Sequence, residues 1–230
     1  MLDAAKAQGL RSGENPARWR GHLDQLLPRR QRLARGHHAA LPYTGVPAFM
    51  VDLQGRQATA AAALELTVLT AARSGEILLA KKTEFDIDRA VWTVPPGRMK
   101  AGREHRVPLS RRALRIVKQA MADYPDSDFL FPGQKPGKPL SAMALEMMLR
   151  RMKLKDVTVH GFRSSFRDWA SECTNFSNEA CEAALAHVIK DKAEAAYRRG
   201  DLFEKRRKLM EAWAVYCAAP KAGKVVAFRR

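Results

Sequence analysis

The run LELTVLTAARSGEILLA, residues 64–80, is almost entirely apolar except for Glu65, Arg73, Ser74 and Glu76. Arginine is seldom buried unless it is paired. Arg73 is therefore either tied to a neighbour for structural reasons or held rigid because an anion must meet it. A second cation-bearing stretch is VTVHGFRSSFRDWASEC. Phe162, Phe166, Trp169 and Cys173 fall at the spacing of one helix face, with His160 just ahead of that helix. Unpaired N–H groups and the positive dipole end favour an anion there. Arg163, three residues later in the first turn, can reach the same anion. The plain alternative is that His and Arg are common at helix starts.

The third stretch, LAHVIKDKAEAAYRRGD, places His187 after an apolar helix end and Tyr197 ten residues on, followed by Arg198 and Arg199. A phenol with a pKa near 10 is a poor nucleophile until cations stabilise its phenolate. These basic neighbours supply such cations. On its own, a tyrosine packed at a domain edge explains the residue equally well.

The elements that must position these groups read as mainly α with a small three-stranded antiparallel sheet. Residues 58–80 are helical by composition, with a break expected near Ser74 and Gly75, and apolar nearly all round, as in a buried helix. In EFDIDRAVWTVPPGRMKAGREHRVPLS the period changes to that of three short strands. Arg98, Lys100 and Arg103 fall at the tip between the last two strands. Residues 111–122 form a further helix. A turn rich in Pro and Gly follows, and then SAMALEMMLRRMK, whose methionines and leucines are expected to pack inward. Residues 160–216 read as helical with short breaks. Upstream, a helix start is expected at Asn15 and Pro16.

The 230 residues carry 41 Lys and Arg against 24 Asp and Glu, a formal charge of +17. Such a field points to a polyanion, nucleic acid before an acidic membrane surface. No run of about 18 uncharged apolar residues exists to span a membrane. Cys173, Cys181 and Cys217 are odd in number and lack CxxC spacing, which fits reduced thiols in a cytoplasm and argues against a structural zinc site.

Taken in order, Arg73, Lys100, His160-x-x-Arg163, His187 and Tyr197 resemble the active-site set of the tyrosine recombinases, the phage integrases of prophages and genomic islands. The matching stretches are LTAARSGEIL, RMKAGREHRVPLS, HGFRSSFRDWASE and LAHVIKDKAEAAYRRGDLFEKRRKLMEAWAVY. ENPARWRGHLDQLLP also looks like the segment leading into the family's catalytic domain. The resemblance implies that family's catalytic-domain fold. Residues 1–27 are then a remnant of a core-binding domain, 28–44 a basic linker, 45–217 the catalytic domain and 218–230 a disordered tail.

The resemblance also implies roles. Arg73 and Arg163 clamp the scissile phosphate, each able to donate two parallel hydrogen bonds. Glu76 braces Arg73. Tyr197 attacks phosphorus to form a 3′-phosphotyrosyl bond. Lys100 protonates the leaving 5′ oxygen, His160 assists proton transfer, and His187 donates to the phosphate. Lys81, Lys82, Arg98, Arg103, Arg198 and Arg199 are candidate contacts to the DNA backbone. The implied function is integration or excision of a mobile element, with double-stranded DNA as partner and no metal, ATP or other cofactor. The free protein is expected to be monomeric, tetrameric on DNA, and cytoplasmic beside the nucleoid. The C-terminal helix is expected to dock either on a neighbouring protomer or on its own domain. Two other functions use the same scaffold. A non-catalytic DNA-binding regulator would never form a covalent complex, and a type IB topoisomerase-like enzyme would relax supercoiled DNA without demanding a particular sequence.

Overall fold

The structure, a computed structural model, describes residues 2–26, 39–187 and 200–219. The chain divides into two compact units, Met1–His37 and His38–Arg230. In the first, helix α1 spans Leu2–Ala7 and α2 spans Asp24–Leu26, preceded by a wide helical turn at Trp19–Leu23. The helix start expected at Asn15 and Pro16 is displaced. The Asn15 Oδ1 atom accepts from the Ala17 N–H at 2.9 Å, which closes a turn instead. Even Trp19–Leu23 is interrupted, with Gly21 at φ 76°.

The larger unit is organised around one helix. A helix apolar on every side has no face to give to water, so it must be central. Helix α4, Thr59–Thr70, meets this condition, with every residue from Ala63 to Thr70 buried. It packs against α3 (Val46–Gln54), α5 (Ser74–Leu78), α6 (Arg111–Asp123), α7 (Ala144–Arg151) and the C-terminal helix α10 (Phe203–Ala218). Its buried hydroxyls are satisfied within the helix: Thr67 and Thr70 each donate to the carbonyl four residues back, at 2.7 Å. Glu65, also buried, accepts two hydrogen bonds from the Arg112 guanidinium and one from Gln54.

Helix α4 ends at Ala71, whose left-handed φ of 49° turns the chain. The break thus comes three residues before the expected one, and Ser74 and Gly75 belong to the first turn of α5. The reason is Glu76. Its carboxylate reaches back to accept the Arg73 N–H at 2.9 Å, a capping contact that starts the helix at Ser74.

Among the described residues, β1 (Phe85–Asp86), β2 (Val91–Val94) and β3 (His105–Pro108) form an antiparallel sheet in the order β1-β2-β3. Phe85 pairs with Trp92, and Trp92 with Val107. The Phe85 and Trp92 rings stack at 5.4 Å. The Trp92 indole donates to Glu84 at 3.0 Å. In α7 only part of the methionine set packs inward: Met148 and Met152 are buried, whereas Met143 and Met147 are exposed.

Helices α8 (Gly161–Cys173) and α9 (Asn178–Ala184) complete the fold with α10. Residues 39–45 lie along the start of α8. The Ala39 carbonyl accepts from the Thr158 N–H, and the Leu41 carbonyl from the Ser165 hydroxyl. Helix α10 packs in cis, on α3, α4, α6, α9 and β3 of its own chain. Trp213 is fully buried, and its indole donates to the Val68 carbonyl at 2.8 Å. Among the described residues no helix is long and apolar enough to cross a membrane.

Candidate active site

Arg73, Arg163 and His187 come from three separated parts of the chain and meet where α4 ends. Arg163 sits in the first turn of α8 and is only 6 % exposed. Its guanidinium donates to the Ala71 carbonyl, to the Leu185 carbonyl at 2.6 Å, and to the His187 Nε2 atom at 3.3 Å. The left-handed turn at Ala71 and the C-terminal end of α9 thus both aim carbonyls at one side chain. These acceptors hold the guanidinium without neutralising it. Burial, and then the nearby Arg73 guanidinium, lower the Arg163 pKa to about 10, which still leaves it charged at neutral pH.

Arg73 is the N-cap residue of α5. Its Nη1 atom donates to Glu76 Oε1 at 2.7 Å, and its Nη2 atom to the Ala186 carbonyl at 3.5 Å. Its side chain remains 25 % exposed, against 6 % for Glu76. Glu76 braces Arg73 from the inside through both backbone and side chain, while the outer part of the guanidinium faces the site. The His187 Nδ1 atom lies 2.6 Å from Glu182 Oε2. His160 lies exposed at the N-terminus of α8, three residues before Arg163. Lys100 and Arg103 are exposed at the tip between β2 and β3. Tyr197, Arg198 and Arg199 lie outside the described residues.

Two of the expected DNA contacts are engaged within the fold. Arg98 pairs with Glu84 and donates to the Glu76 carbonyl at 2.9 Å, so it locks the base of the hairpin against α5. Its position at a basic loop tip gave no hint of this, because Glu84 approaches from the preceding turn. The Lys82 ammonium is bound to the Tyr124 carbonyl and, at 3.2 Å, to the Pro125 carbonyl. Lys81 next to it is exposed.

Other residues near the site were not anticipated. His105, on β3, is largely buried. Burial and then the Arg206 guanidinium lower its pKa to about 4, with Glu76 opposing and Arg73 adding to the effect. Glu182 and Arg167 stand behind His187. Asp201, four residues after Tyr197, accepts from both Arg106 and Arg206. Arg206 is buried and also donates to the Arg106 carbonyl at 2.6 Å, fixing the start of α10 to β3. The sequence around these residues carried no distinct signal, and Arg206 stands in a charged run. Some partners lie far away along the chain, as for Arg106 with Asp201 and Arg206, and others only a turn away, as for Glu182 with His187.

Residues 45–200 match the phage integrase family. The chain belongs to that family. Prophage integrase IntA of Escherichia coli (strain K12) is 37 % identical over 161 residues, covering 69 % of this chain and 39 % of IntA. Prophage integrase IntZ of the same strain is 34 % identical over 194 residues, covering 84 % of this chain and 47 % of IntZ. The integrase of Enterobacteria phage P4 is 34 % identical over 200 residues, covering 78 % and 45 %. The chain therefore spans about half, or less, of the length of these relatives.

Among solved structures, the integrase from mycobacterium phage Brujita superposes with a TM-score of 0.57 at 20 % identity, covering 90 % of this chain and 66 % of that one. The Tn1549 transposon integrase, in complex with circular intermediate DNA, gives 0.54 at 16 % identity, covering 91 % and 74 %. The fold is thus that of integrase and recombinase domains, mainly helical with one small sheet. Within this family domain, the start of α5, the first turn of α8 and the turn after α9 supply Arg73, Arg163 and His187. Among the described residues no group of three or more His, Cys, Asp or Glu side chains is placed to hold a metal ion.

Proposed function

We propose that this phage integrase domain cleaves and rejoins double-stranded DNA through a covalent 3′-phosphotyrosyl intermediate, as the catalytic part of a site-specific recombinase. The observation that carries the reading is the pair of neighbouring guanidiniums, Arg73 and Arg163. Arg163 is held largely by neutral carbonyls, so its charge stays available to an anion. Placing two like charges side by side in a partly buried site costs free energy unless a bound anion offsets it.

The anion is the scissile phosphate. As a nucleophile approaches phosphorus, negative charge builds on the non-bridging oxygens, and fixed cations lower the barrier by meeting it. Arg73 and Arg163 bind those oxygens, and His187 adds a hydrogen bond. The Tyr197 oxygen forms its bond to phosphorus as the bond to the 5′ oxygen breaks. The phenolic proton leaves with help from His160, and the 5′ oxygen takes a proton from Lys100. The phosphodiester energy is kept in the tyrosyl ester, so reversal against a new 5′ hydroxyl reseals the strand. Tetrameric assembly on DNA and docking onto paired attachment sites belong to the same reading. The high positive charge supports a long contact with the DNA backbone.

The test is trapping on a nicked duplex taken from the ends of the mobile element. Cleavage there releases a short strand, so resealing fails and the adduct accumulates. The wild type is expected to give a band that survives denaturation, and Tyr197→Phe none, with equal DNA binding. An adduct formed by Tyr197→Phe would remove the tyrosine from its role. Wild-type binding that never yields an adduct would favour a non-catalytic regulator.

A further inference from the structure

The His187 ring is held between two groups of fixed hydrogen-bonding sense. Its Nδ1 atom lies 2.6 Å from Glu182 Oε2, and its Nε2 atom 3.3 Å from the Arg163 Nη2 atom. A guanidinium only donates, and an ionised carboxylate only accepts. Glu182 is ionised at neutral pH: burial raises its pKa, but hydrogen bonds from His187 and Arg167 outweigh this and hold it below the ordinary carboxylate range. The proton therefore sits on Nδ1 and is donated to Glu182. Nε2 turns its lone pair to Arg163.

Glu182 is itself fixed. Its Oε1 atom accepts from Arg167 Nε at 2.7 Å. The other two nitrogens of Arg167 are held by the Ser171 hydroxyl and the Asn178 side-chain carbonyl. Arg167 lies one turn beyond Arg163 on α8, and Glu182 lies on α9. The same two helices thus present the phosphate-facing guanidinium and, behind it, a clamped carboxylate. Among the described residues, Arg163 from α8 and Glu182 from α9 contact the His187 ring, and Arg73 from the start of α5 reaches the neighbouring Ala186 carbonyl.

We infer that Glu182 is a positioning residue that sets the tautomer and orientation of His187, so that Nε2 is always the nitrogen presented beside Arg163. The catalytic half of this inference rests on the recombinase reading of His187; the tautomer half does not. When a phosphate oxygen draws the donors of Arg163 to itself, Nε2 needs a proton to donate to that oxygen. The proton comes from solvent, and the hydrogen bond between Nδ1 and Glu182 holds the ring so that Nε2 keeps facing that oxygen. Without Glu182, either ring nitrogen can face the site.

Two measurements on the full chain test this. In ring-nitrogen NMR of the DNA-free protein, His187 is expected to carry its proton on Nδ1. Glu182→Ala is expected to move it toward the Nε2–H form. Glu182→Gln, whose amide oxygen can still accept, should keep it on Nδ1. In single-turnover trapping, Glu182→Ala should slow adduct formation about 10-fold or more with DNA affinity unchanged, in line with other residues that orient a reactive imidazole. It should add no further loss in a His187→Phe background.

An unchanged Nδ1 proton in Glu182→Ala would overturn the inference. So would an equal slowing with and without His187, because the pair would then be acting only on the fold. The NMR measurement needs no DNA. A wild type that forms no adduct would therefore contradict the recombinase reading, and the tautomer alone would uphold or overturn the role of Glu182.

Discussion

Replacing Gly161 by alanine should unfold the domain several degrees early, although the change adds a single methyl group to the start of a helix. A Cβ at this position would sit 2.3 Å from the Ala39 carbonyl oxygen and 2.8 Å from the Ala40 Cα atom. Ordinary contact begins near 3.4 Å, so the backbone at residues 39–40 must retreat by about 1 Å. It cannot do so freely. The same Ala39 oxygen accepts from the Thr158 N–H at 3.0 Å and the Thr158 hydroxyl at 3.3 Å. Overpacking of this kind costs about 1–3 kcal/mol, and a weakened hydrogen bond adds about 1 kcal/mol. In a chain of this size each kcal/mol lowers Tm by roughly 2–4 °C, so a fall of about 4–16 °C is expected. The control is Gly75→Ala in α5, where no atom lies within 4 Å of the added carbon; it should leave Tm unchanged or raise it slightly. Thermal unfolding followed by circular dichroism compares the two. If Gly161→Ala melted within 1 °C of the wild type, the strap formed by residues 39–41 could not be a fixed support for the helix that carries Arg163.

Three other substitutions probe the site. Arg163→Lys keeps a charge but loses the fork that spans the Ala71 and Leu185 carbonyls; single-turnover adduct formation should slow on the order of 100-fold with little change in DNA affinity. Arg98→Met should lower stability by about 1–3 kcal/mol in urea unfolding, because it removes the cation paired with the largely buried Glu84 and leaves the Trp92 indole as its donor. Lys100→Ala, at an exposed position, should stay within about 0.5 kcal/mol of the wild type while slowing cleavage. His105 gives a pH signature. The folded state keeps it neutral down to about pH 4, whereas the unfolded chain protonates near 6.5, so the unfolded state binds more protons between these values and stability falls as pH falls. From pH 7 to pH 5 the loss should be about 2 kcal/mol, and His105→Gln should remove most of it.

What the sequence disclosed followed from local rules. The unbroken apolar run of α4 declared a buried helix, and the strand period located the sheet. The Phe162, Phe166 and Trp169 spacing oriented α8, with Cys173 left exposed at its end. Arg73 in an apolar setting was visible as an anomaly, and the contact to Glu76 within one helical turn resolves it. The residues that escaped detection are held by partners that only the fold brings to them. Arg98 had the composition of a DNA-contacting loop, yet Glu84 and the Glu76 carbonyl claim it. Arg206 had the look of a surface residue in EKRRK, but it is buried against Asp201 and the Arg106 carbonyl. Glu182 stands five residues before His187, a spacing with no meaning until α9 ends and the chain turns back toward α8. Periodicity reports which face is buried; it does not report which charges meet across the core.

The covalent link itself can be read directly. The wild-type protein would be trapped on the nicked duplex, digested with trypsin and nuclease, and the modified peptide sequenced by mass spectrometry. A single modified peptide is expected, with the 3′-phosphonucleotide on the phenolic oxygen of Tyr197. A nucleotide attached to any other residue, or a complete absence of linkage on a duplex that the protein binds and saturates, would contradict that assignment.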